Sequence, residues 1–483
     1  MEPLIPMGIE LPARGSRARL QSLHQQLRAA ILDGRLQAGV RLPSTRALAE
    51  AYAVSRNTAV AAYDRLLAEG YLSARQGSGT VVAGSWPSSP RRGPLSRCGP
   101  DRRLNRRWRS VAPAEQRPPG EPPRLAFQLG VPDLAGFPLV AWQRLAGRVA
   151  RRQHAEPRLE RDPQGVRGLR EAIAHHVSFS RAVACGPDDI VVTAGAQQAF
   201  DLLARVLTPA AGAMVAVENP GYPPVRAAFA AHGARIAAVP VDQDGLVVER
   251  VPERARVICV TPSHQFPLGS VMSVRRRIEL LELCRRSDGV VIEDDYDGEF
   301  RFGPRPLDAL QTLDRSQCVF YVGTFSKCLS PDLRLGYIAT PAWARDALVA
   351  AKRAADGWSG TAVQATLALL IKEGHLRRHV RKMQRLYAER RRVLLQNLGG
   401  EIGRSLQPLP SLAGLHVTAK LRRPGSEAVL VERLRAAGVG VAALRPFYQG
   451  AAAMRGLVFG YGNISAAAIA EGMRILRLTM AEA

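Results

Sequence analysis

Residues 315–340 read RSQCVFYVGTFSKCLSPDLRLGYIAT and place a lysine between two apolar runs. The apolar residues around Val319 and Tyr321 predict one buried strand, and the run from Leu335 to Ala339 predicts a second. Lys327 lies between them, where an ammonium group is costly unless it is paired or has reacted. A neutral lysine amine forms a Schiff base with an aldehyde, which a guanidinium group cannot do.

The same stretch carries groups that suit a phosphate. Thr324 and Ser326 offer hydroxyl groups beside Lys327, and Arg334 follows seven residues later. Pyridoxal 5′-phosphate combines an aldehyde with a phosphate, so Lys327 suits that cofactor. The chain holds only five lysines, at positions 327, 352, 372, 382 and 420. Biased codon usage explains this scarcity, and a surface lysine in a loop remains the alternative interpretation of the stretch.

An acidic cluster strengthens the cofactor interpretation. Gly289 to Ile292 predicts a buried strand, and EDDYD follows it at residues 293–297. In open α/β sheets, ligands bind at the carboxyl ends of such strands. A cofactor pyridine needs a carboxylate at its ring nitrogen and a donor at its phenolic oxygen, and Asp294 and Tyr296 offer both. A solvated loop or a Mg²⁺ site is the alternative, but the later Lys327 favours pyridoxal phosphate.

Three more predicted strands end in turns that suit a ligand. The strand 190–193 precedes a small-residue turn and a helix whose first amides, at Ala196 and Gln197, can hold phosphate. Tyr222 follows the strand 214–217 and can stack on a pyridine ring, and TPSHQFPLG, residues 261–269, follows a further strand. Strands alternate with amphipathic helices in this part of the chain, which predicts an α/β domain.

The length of 483 residues predicts more than one domain, because single cores stop growing at roughly 250–300 residues. Residues 14–83 show helical periodicity, residues 84–124 form a Pro- and Arg-rich linker, and residues 125–483 carry the α/β pattern. The net charge is +25, and residues 1–124 hold 20 arginines and nine acidic residues. Such a surface attracts nucleic acid, an anionic membrane or acidic ligands, and charge alone does not choose among them.

Several features point to a cytoplasmic protein. No apolar run reaches the ~20 residues of a membrane span, and residues 1–10 do not resemble a secretory signal. The six cysteines are scattered and form no CxxC pair, so we expect neither a metal site nor a disulfide framework.

The N-terminal zone has the layout of a winged helix-turn-helix. Leucines from Leu20 to Leu32 predict a helix over 16–34, Ser44 is a plausible cap for the next helix, and Ser55 for the one after it. The last helix begins Arg56-Asn57-Thr58, at the end that faces base edges in such motifs. A short hairpin with a glycine turn, residues 76–82, predicts the wing. The alternative is a helical adaptor with a solvated basic face.

Residues 39–82, GVRLPSTRALAEAYAVSRNTAVAAYDRLLAEGYLSARQGSGTVV, resemble the DNA-binding domain of GntR-type regulators over their whole length. The motifs LPSxRxLA, VSRNT, EGYL and GSGT stand in the same order and at the same spacing. The resemblance implies contacts to double-stranded DNA from Arg41, Ser44, Arg46, Ser55, Arg56, Asn57, Thr58 and the wing residues Gly77, Ser78 and Gly79.

Residues 126–478 resemble fold-type I aminotransferases, and the whole chain resembles the MocR family, in which a GntR-type winged helix is fused to that fold. The motifs include DPQG, AGAQQAFDLLAR, ENPGYP, IEDDYDGEF and YVGTFSK. The resemblance implies an aldimine of pyridoxal 5′-phosphate at Lys327, and a head-to-tail homodimer. It assigns Asp294 to the pyridine nitrogen, Tyr296 to the 3-hydroxyl and Tyr222 to ring stacking. It assigns the phosphate to Ala196, Gln197, Thr324, Ser326 and Arg334.

Two departures put full transamination in doubt. Aminotransferases usually carry Asn where this chain has Phe266, and His264 or Gln265 is a candidate replacement. They also carry a carboxylate-binding Arg where this chain has Val458, and Arg455 lies out of register. A long helix over 377–392 has a basic face that we expect to be solvated, with DNA contact as the alternative.

The features together predict a DNA-binding transcriptional regulator that senses an amino compound, or pyridoxal phosphate itself, through Lys327. A catalytically active aminotransferase with an accessory DNA-binding domain is the alternative function.

Overall fold

The computed structural model describes residues 9–13, 18–75, 79–84, 123–155, 162–208, 212–303, 308–422 and 426–481. The chain divides into two units, Met1–Ser110 and Val111–Ala483. Among the described residues, every helix is too short or too polar to cross a membrane.

The first unit holds three helices followed by a two-stranded hairpin. These are α1 (Arg19–Leu32), α2 (Thr45–Ala51), α3 (Arg56–Ala68), β1 (Leu72–Arg75) and β2 (Gly79–Val82). The predicted caps are confirmed, because the Ser44 hydroxyl accepts from the Ala47 amide and the Ser55 hydroxyl from the Thr58 amide. Apolar side chains from all five elements form one core, so helices and hairpin fold as a unit.

The second unit is built on an eight-stranded sheet in the order β4-β11-β10-β9-β8-β5-β6-β7. Its strands are β4 (Ile190–Thr193), β5 (Met214–Asn219), β6 (Arg235–Asp242), β7 (Gly245–Leu246), β8 (Ala255–Val260), β9 (Val290–Asp295), β10 (Val319–Thr324) and β11 (Gly336–Ala339). Strands β10, β9, β8, β5 and β6 pair in parallel, and antiparallel β11 lies between β10 and β4. The carboxyl ends of β4, β5, β8, β9 and β10 therefore meet at one edge.

Helices flank this sheet and lead into a smaller C-terminal layer. They are α4 (Leu139–Ala155), α5 (Arg167–Arg181), α6 (Ala196–Leu207), α7 (Pro223–Ala231), α8 (Val274–Ser287), α9 (Arg345–Asp356), α10 (Thr361–Lys372), α11 (His375–Leu398), α12 (Gly400–Ser405), α13 (Glu427–Ala436) and α14 (Ala466–Ala481). The predicted basic helix is confirmed in α11 and extends beyond both predicted ends.

The C-terminal layer is an antiparallel sheet in the order β12-β13-β16-β15. Its strands are β12 (Leu406–Pro408), β13 (His416–Leu421), β15 (Ala442–Ala443) and β16 (Gly456–Gly460). A separate parallel pair joins β3 (Leu125–Ala126) to β14 (Val439–Gly440), so the start of the second unit is held by its C-terminal part.

Candidate functional site

A cavity of about 230 Å³ lies at the edge where the carboxyl ends of the parallel strands meet. All nine residues that the sequence assigns to the cofactor line it: Ala196, Gln197, Tyr222, Asp294, Tyr296, Thr324, Ser326, Lys327 and Arg334. The other lining residues include Gly130, Leu415 and His416, to which the sequence did not point. Most of the lining therefore comes from turns that directly follow strands.

Lys327 is held by a backbone group from a distant part of the chain. Its Nζ donates to the Gly130 carbonyl oxygen at 2.8 Å. Gly130 has a φ of +68°, which favours glycine, and a Cβ atom there would lie 2.5 Å from this Nζ, so a larger residue would displace the Lys327 amine. Burial lowers the pKa of Lys327, while Asp297 and Asp294 act in the opposite direction. The neutral, nucleophilic form of the amine is thus more populated than in an ordinary lysine.

Asp294 faces the cavity without a partner. Its Oδ1 atom is buried and has no hydrogen bond among the described residues. Burial, with help from neighbouring Asp295, raises the pKa of Asp294 well above its usual value. A buried carboxylate in this position is costly unless a cation or donor reaches it, and a protonated ring nitrogen of a pyridine would be such a group. The orphaned oxygen therefore fits pyridoxal phosphate.

Tyr296 belongs to a hydrogen-bonded cluster that the sequence did not predict. Its hydroxyl lies 2.9 Å from His264 Nδ1, which also lies 3.0 Å from Asp297 Oδ2. The His416 ring is tilted by 38° against the His264 ring at a centroid distance of 4.8 Å, and its Nε2 lies 3.0 Å from the Pro267 carbonyl oxygen. Burial lowers the pKa of His416 well below its usual value, so the ring is neutral and donates through Nε2.

The same cluster bears on the expected absence of a metal site. His264, Asp297 and His416 offer ligand atoms that lie within 4.8 Å of one another. These atoms are engaged in hydrogen bonds within the protein, since His264 also lies 3.0 Å from the Ser411 hydroxyl through Nε2. The cluster positions Tyr296 through His264, and the absence of a metal site stays a prediction.

The opposite end of the cavity has the features of a phosphate site. The turn before α6 contains Gly195, which has a φ of +82° and precedes the first helical amides. Arg334 donates to the Ala194 carbonyl oxygen at 2.8 Å and lies on the cavity wall. The hydroxyls of Thr324 and Ser326 lie 3.0 Å apart. An arginine, two hydroxyls and a helix amino end thus converge, as an anionic ligand requires.

A buried lysine supports this turn from behind. Lys352 is fully buried, and its Nζ donates to both carboxylate oxygens of Asp356 at 2.8 Å. Asp356 accepts from the Gln198 side chain at 2.8 Å, and Gln198 in turn accepts from the Ala194 amide at 2.7 Å. The ion pair therefore fixes, through one glutamine, the backbone of the turn that precedes α6.

An aromatic group covers the cavity between these two ends. Tyr222 packs edge-to-face on Phe266, and Phe266 packs in the same way on Phe447. Phe266 lines the cavity at the position where aminotransferases have Asn. Gln265 does not replace that Asn, because its amide donates to Glu218 and to two backbone carbonyls. Of the two candidates, only His264 contacts Tyr296.

The slot of the carboxylate-binding arginine is apolar. Val458 is fully buried and packs in a cluster with Leu444 and Tyr448. Arg455 precedes β16 and does not line the cavity. Arg334 is the sole arginine among the lining residues, and it lies at the phosphate end. The described part of the cavity therefore offers no second guanidinium for a substrate carboxylate.

The first unit presents the predicted DNA-reading residues on its surface. Arg41, Arg46, Arg56 and Asn57 are exposed, and the three arginines have no acidic partner among the described residues. The Ser55 and Thr58 hydroxyls lie 2.8 Å apart at the start of α3. Gly79 begins β2 beside the Arg41 side chain, while Gly77 and Ser78 lie outside the described residues.

Comparisons with known proteins identify a family for each of the two units. The family described as bacterial regulatory proteins, gntR family, matches residues 20–82, and aminotransferase class I and II matches residues 141–467. Over 459 residues the chain is 37% identical to the probable rhizopine catabolism regulatory protein MocR of Rhizobium meliloti, covering 95% of this chain and 92% of that protein. The chain belongs to the MocR family. It is a helix-turn-helix transcriptional regulator with an aminotransferase-like domain.

Two further matches illustrate the two sides of this family. The pyridoxine biosynthesis transcriptional regulator PdxR of Corynebacterium glutamicum is 34% identical over 441 residues, covering 91% of each chain. The α-aminoadipate aminotransferase LysN of Thermus thermophilus has 28% sequence identity to this chain and a TM-score of 0.68. The match covers 74% of this chain and 93% of the LysN chain. That structure contains N-(5′-phosphopyridoxyl)-L-leucine. The fold of the second unit implies the use of pyridoxal phosphate.

Proposed function

We propose that this MocR-family regulator binds pyridoxal 5′-phosphate covalently at Lys327 and responds to an amine that competes for that bond. The observation that carries the proposal is the unpartnered Asp294 Oδ1, buried in a cavity that also contains Lys327. A carboxylate desolvated at this depth suits a protonated pyridine nitrogen. The cofactor supplies an electron-poor ring and an aldehyde, which amines attack readily.

Each cavity residue then has a defined task. Asp294 pairs with the ring nitrogen, and Tyr296, supported by His264, donates to the ring hydroxyl. The turn at Ala196 and Gln197, the Thr324 and Ser326 hydroxyls and Arg334 bind the phosphate, and Tyr222 covers the ring. Lys327 would hold the aldehyde carbon of the cofactor until an effector amine displaces it, and the freed Lys327 amine would remain in the cavity to displace the effector in turn, so binding would be reversible.

The DNA-binding task falls to the first unit. Arg56 and Asn57 are proposed to read bases from the start of α3, and Arg41, Ser44, Arg46, Ser55, Thr58 and the wing, residues 77–79, to hold the phosphates of duplex DNA. An effector changes operator occupancy only if it binds one conformational state more tightly than another. We propose a head-to-tail homodimer in the cytoplasm as the working form.

The alternative, an active aminotransferase, finds less support. Val458 and Phe266 occupy the two positions where that chemistry needs an arginine and an asparagine. Formation of the covalent bond with an amine depends on neither, so sensing survives these changes while turnover suffers.

The proposal is tested by visible absorbance of the purified protein with pyridoxal phosphate. Wild type is expected to show the cofactor's visible band, Lys327→Ala is expected to lack it, and the surface variant Lys382→Ala is expected to keep it. Arg56→Ala is expected to keep the band and lose sequence-specific binding to a duplex selected by the wild type. A band of equal strength in Lys327→Ala, or unchanged DNA selection in Arg56→Ala, would contradict the proposal.

A further inference from the structure

The first half of α11 carries a row of exposed cations without acidic partners. Arg377, Arg378, Arg381, Lys382 and Arg385 are all exposed. None of the five forms an ion pair with a carboxylate among the described residues, although Arg378 donates to the Glu373 carbonyl oxygen. Glu389 lies one turn beyond Arg385 and forms no ion pair with it. We call these five side chains the α11 cation row.

This row differs from other helix surfaces of the second unit. Helices α5, α6, α8 and α14 each hold at least one exposed arginine paired with an acid of the same helix, and α8 holds two such pairs, whereas the exposed Arg286 and Arg477 form no ion pair among the described residues. The pairs are Arg167–Glu171, Arg205–Asp201, Arg275–Glu279, Arg285–Glu282 and Arg474–Glu471, with separations of 2.9–3.2 Å. Five neighbouring cations without a counter-charge repel one another, so an arginine-rich composition does not by itself explain the row.

The geometry of α11 places the row on one face. Residues 378, 381, 382 and 385 follow the i, i+3, i+4, i+7 spacing that aligns side chains along a helix. They span about 10 Å at 1.5 Å per residue. Together with Leu386 and Glu389 they line an open groove.

Helix α4 also carries arginines, two of which lie close to the start of α11. Arg144 and Arg148 both pair with Glu373, the residue two positions before α11, so one carboxylate serves two guanidinium groups. Arg151 and Arg152 are exposed at the end of α4, and α4 contains no acidic residue. Exposed arginines therefore lie on α4 as well as on α11.

The binding partner of this surface must carry an excess of negative charge, which the chain itself lacks. The chain carries a net charge of +25, and its first 124 residues hold 20 arginines against nine acids. Neither the DNA-binding unit nor a second copy of the effector unit offers a matching excess of acid. Duplex DNA does, with one negative charge per about 1.7 Å of helix axis, and the gntR-type unit keeps the chain on DNA.

We propose that the α11 cation row binds the phosphate backbone of the DNA that the winged helix occupies. Each neutralised phosphate releases counterions and contributes about 0.9 to the slope of log K against log salt. Four engaged cations contribute about 3 to 4, and they add affinity without reading sequence. The aminotransferase-like unit thereby takes part in DNA binding itself. The inference is independent of the cofactor.

The test compares full-length variants on one duplex selected from a random pool by the wild type. The first variant replaces Arg378, Arg381, Lys382 and Arg385 by Gln. The matched control replaces Arg250, Arg254, Arg256 and Arg353 by Gln, which removes the same charge from exposed positions of the same unit outside α11. Affinity is measured from about 50 to 200 mM salt, the range over which phosphate contacts dominate.

The α11 variant is expected to lower the slope by about 3 and to keep the sequence preference, while the control changes the slope by less than about 1. An unchanged slope in the α11 variant, or an equal fall in the control, would overturn the proposal. A parallel sedimentation assay uses vesicles of an anionic phospholipid. Loss of vesicle binding with an unchanged DNA slope would identify a membrane surface instead. The cofactor band is recorded in every variant, so a failure of the proposed cofactor function shows separately.

Discussion

Replacing Lys352 by Met tests whether the buried Lys352–Asp356 ion pair strengthens cofactor binding. The pair supports the turn before α6, which we propose binds the cofactor's phosphate. The side chain of Lys352 is 1% exposed and that of Asp356 is 28% exposed. Breaking a fully buried pair costs about 3–5 kcal/mol, and the partial exposure of Asp356 reduces this to about 2 kcal/mol. A domain of ordinary stability survives such a loss, since native proteins have about 5–15 kcal/mol. The variant is therefore expected to fold.

The effect on the cofactor should depend on its phosphate. Without Lys352, the chain from Asp356 through Gln198 to the Ala194 amide loses its fixed end. We expect the turn to lose the equivalent of one hydrogen bond, about 1.4 kcal/mol, so the Kd for pyridoxal phosphate rises about tenfold. Pyridoxal, which lacks the phosphate, should bind with unchanged affinity.

Equilibrium titrations with both compounds, followed by absorbance, measure the two affinities. Lys372→Met is the control, because Lys372 pairs with Glu171 on the surface at 47% and 41% side-chain exposure. An exposed pair of this kind contributes little to stability, so neither affinity should change. An equal loss for pyridoxal and for its phosphate in Lys352→Met would refute a specific role for the turn.

Substitutions at three other positions probe separate parts of the molecule. Ser55→Ala removes the cap of α3 and should lower the free energy of unfolding by about 1 kcal/mol, which chemical denaturation measures. Ser55→Asp keeps the cap but should weaken DNA binding, because its carboxylate repels the phosphates, and a DNA titration measures that loss. Asp297→Asn removes a carboxylate that raises the pKa of Lys327, so the pH midpoint for attachment of pyridoxal phosphate to the apoprotein should fall; a rise would contradict the assignment. Gly130→Ala should displace the Lys327 amine and abolish attachment, and an unchanged rate would show that the close approach is not required.

The sequence predicted those parts of the site that follow a strand directly. Asp294 lies at the carboxyl end of β9, Tyr222 and Lys327 lie in turns after an apolar run, and parallel strands bring such positions to one edge. The same local logic predicted the caps at Ser44 and Ser55, because a capping hydroxyl and its amide are three residues apart.

The sequence did not predict contacts between distant segments. Gly130 and Lys327 are separated by 197 residues, and His416 reaches Pro267 across 149. No periodicity links such residues, because their meeting depends on how the C-terminal layer packs against the large sheet. The sequence did not single out Lys352 either, because its role depends on burial, on the ion pair with Asp356 and on the contact of Asp356 with Gln198.

The replaced positions separate binding from turnover within one cavity. Attachment of an amine requires a neutral nucleophile, which burial favours at Lys327, and an electron-poor ring, which Asp294 would maintain. Turnover also requires the substrate to be held so that one particular bond at its carbon aligns with the ring, and a fixed carboxylate clamp supplies that orientation in aminotransferases. Val458 offers no charge, and the surrounding apolar cluster would penalise one. On the proposed function, the cavity therefore retains the groups that make amine exchange reversible and has lost a group that would consume the signal.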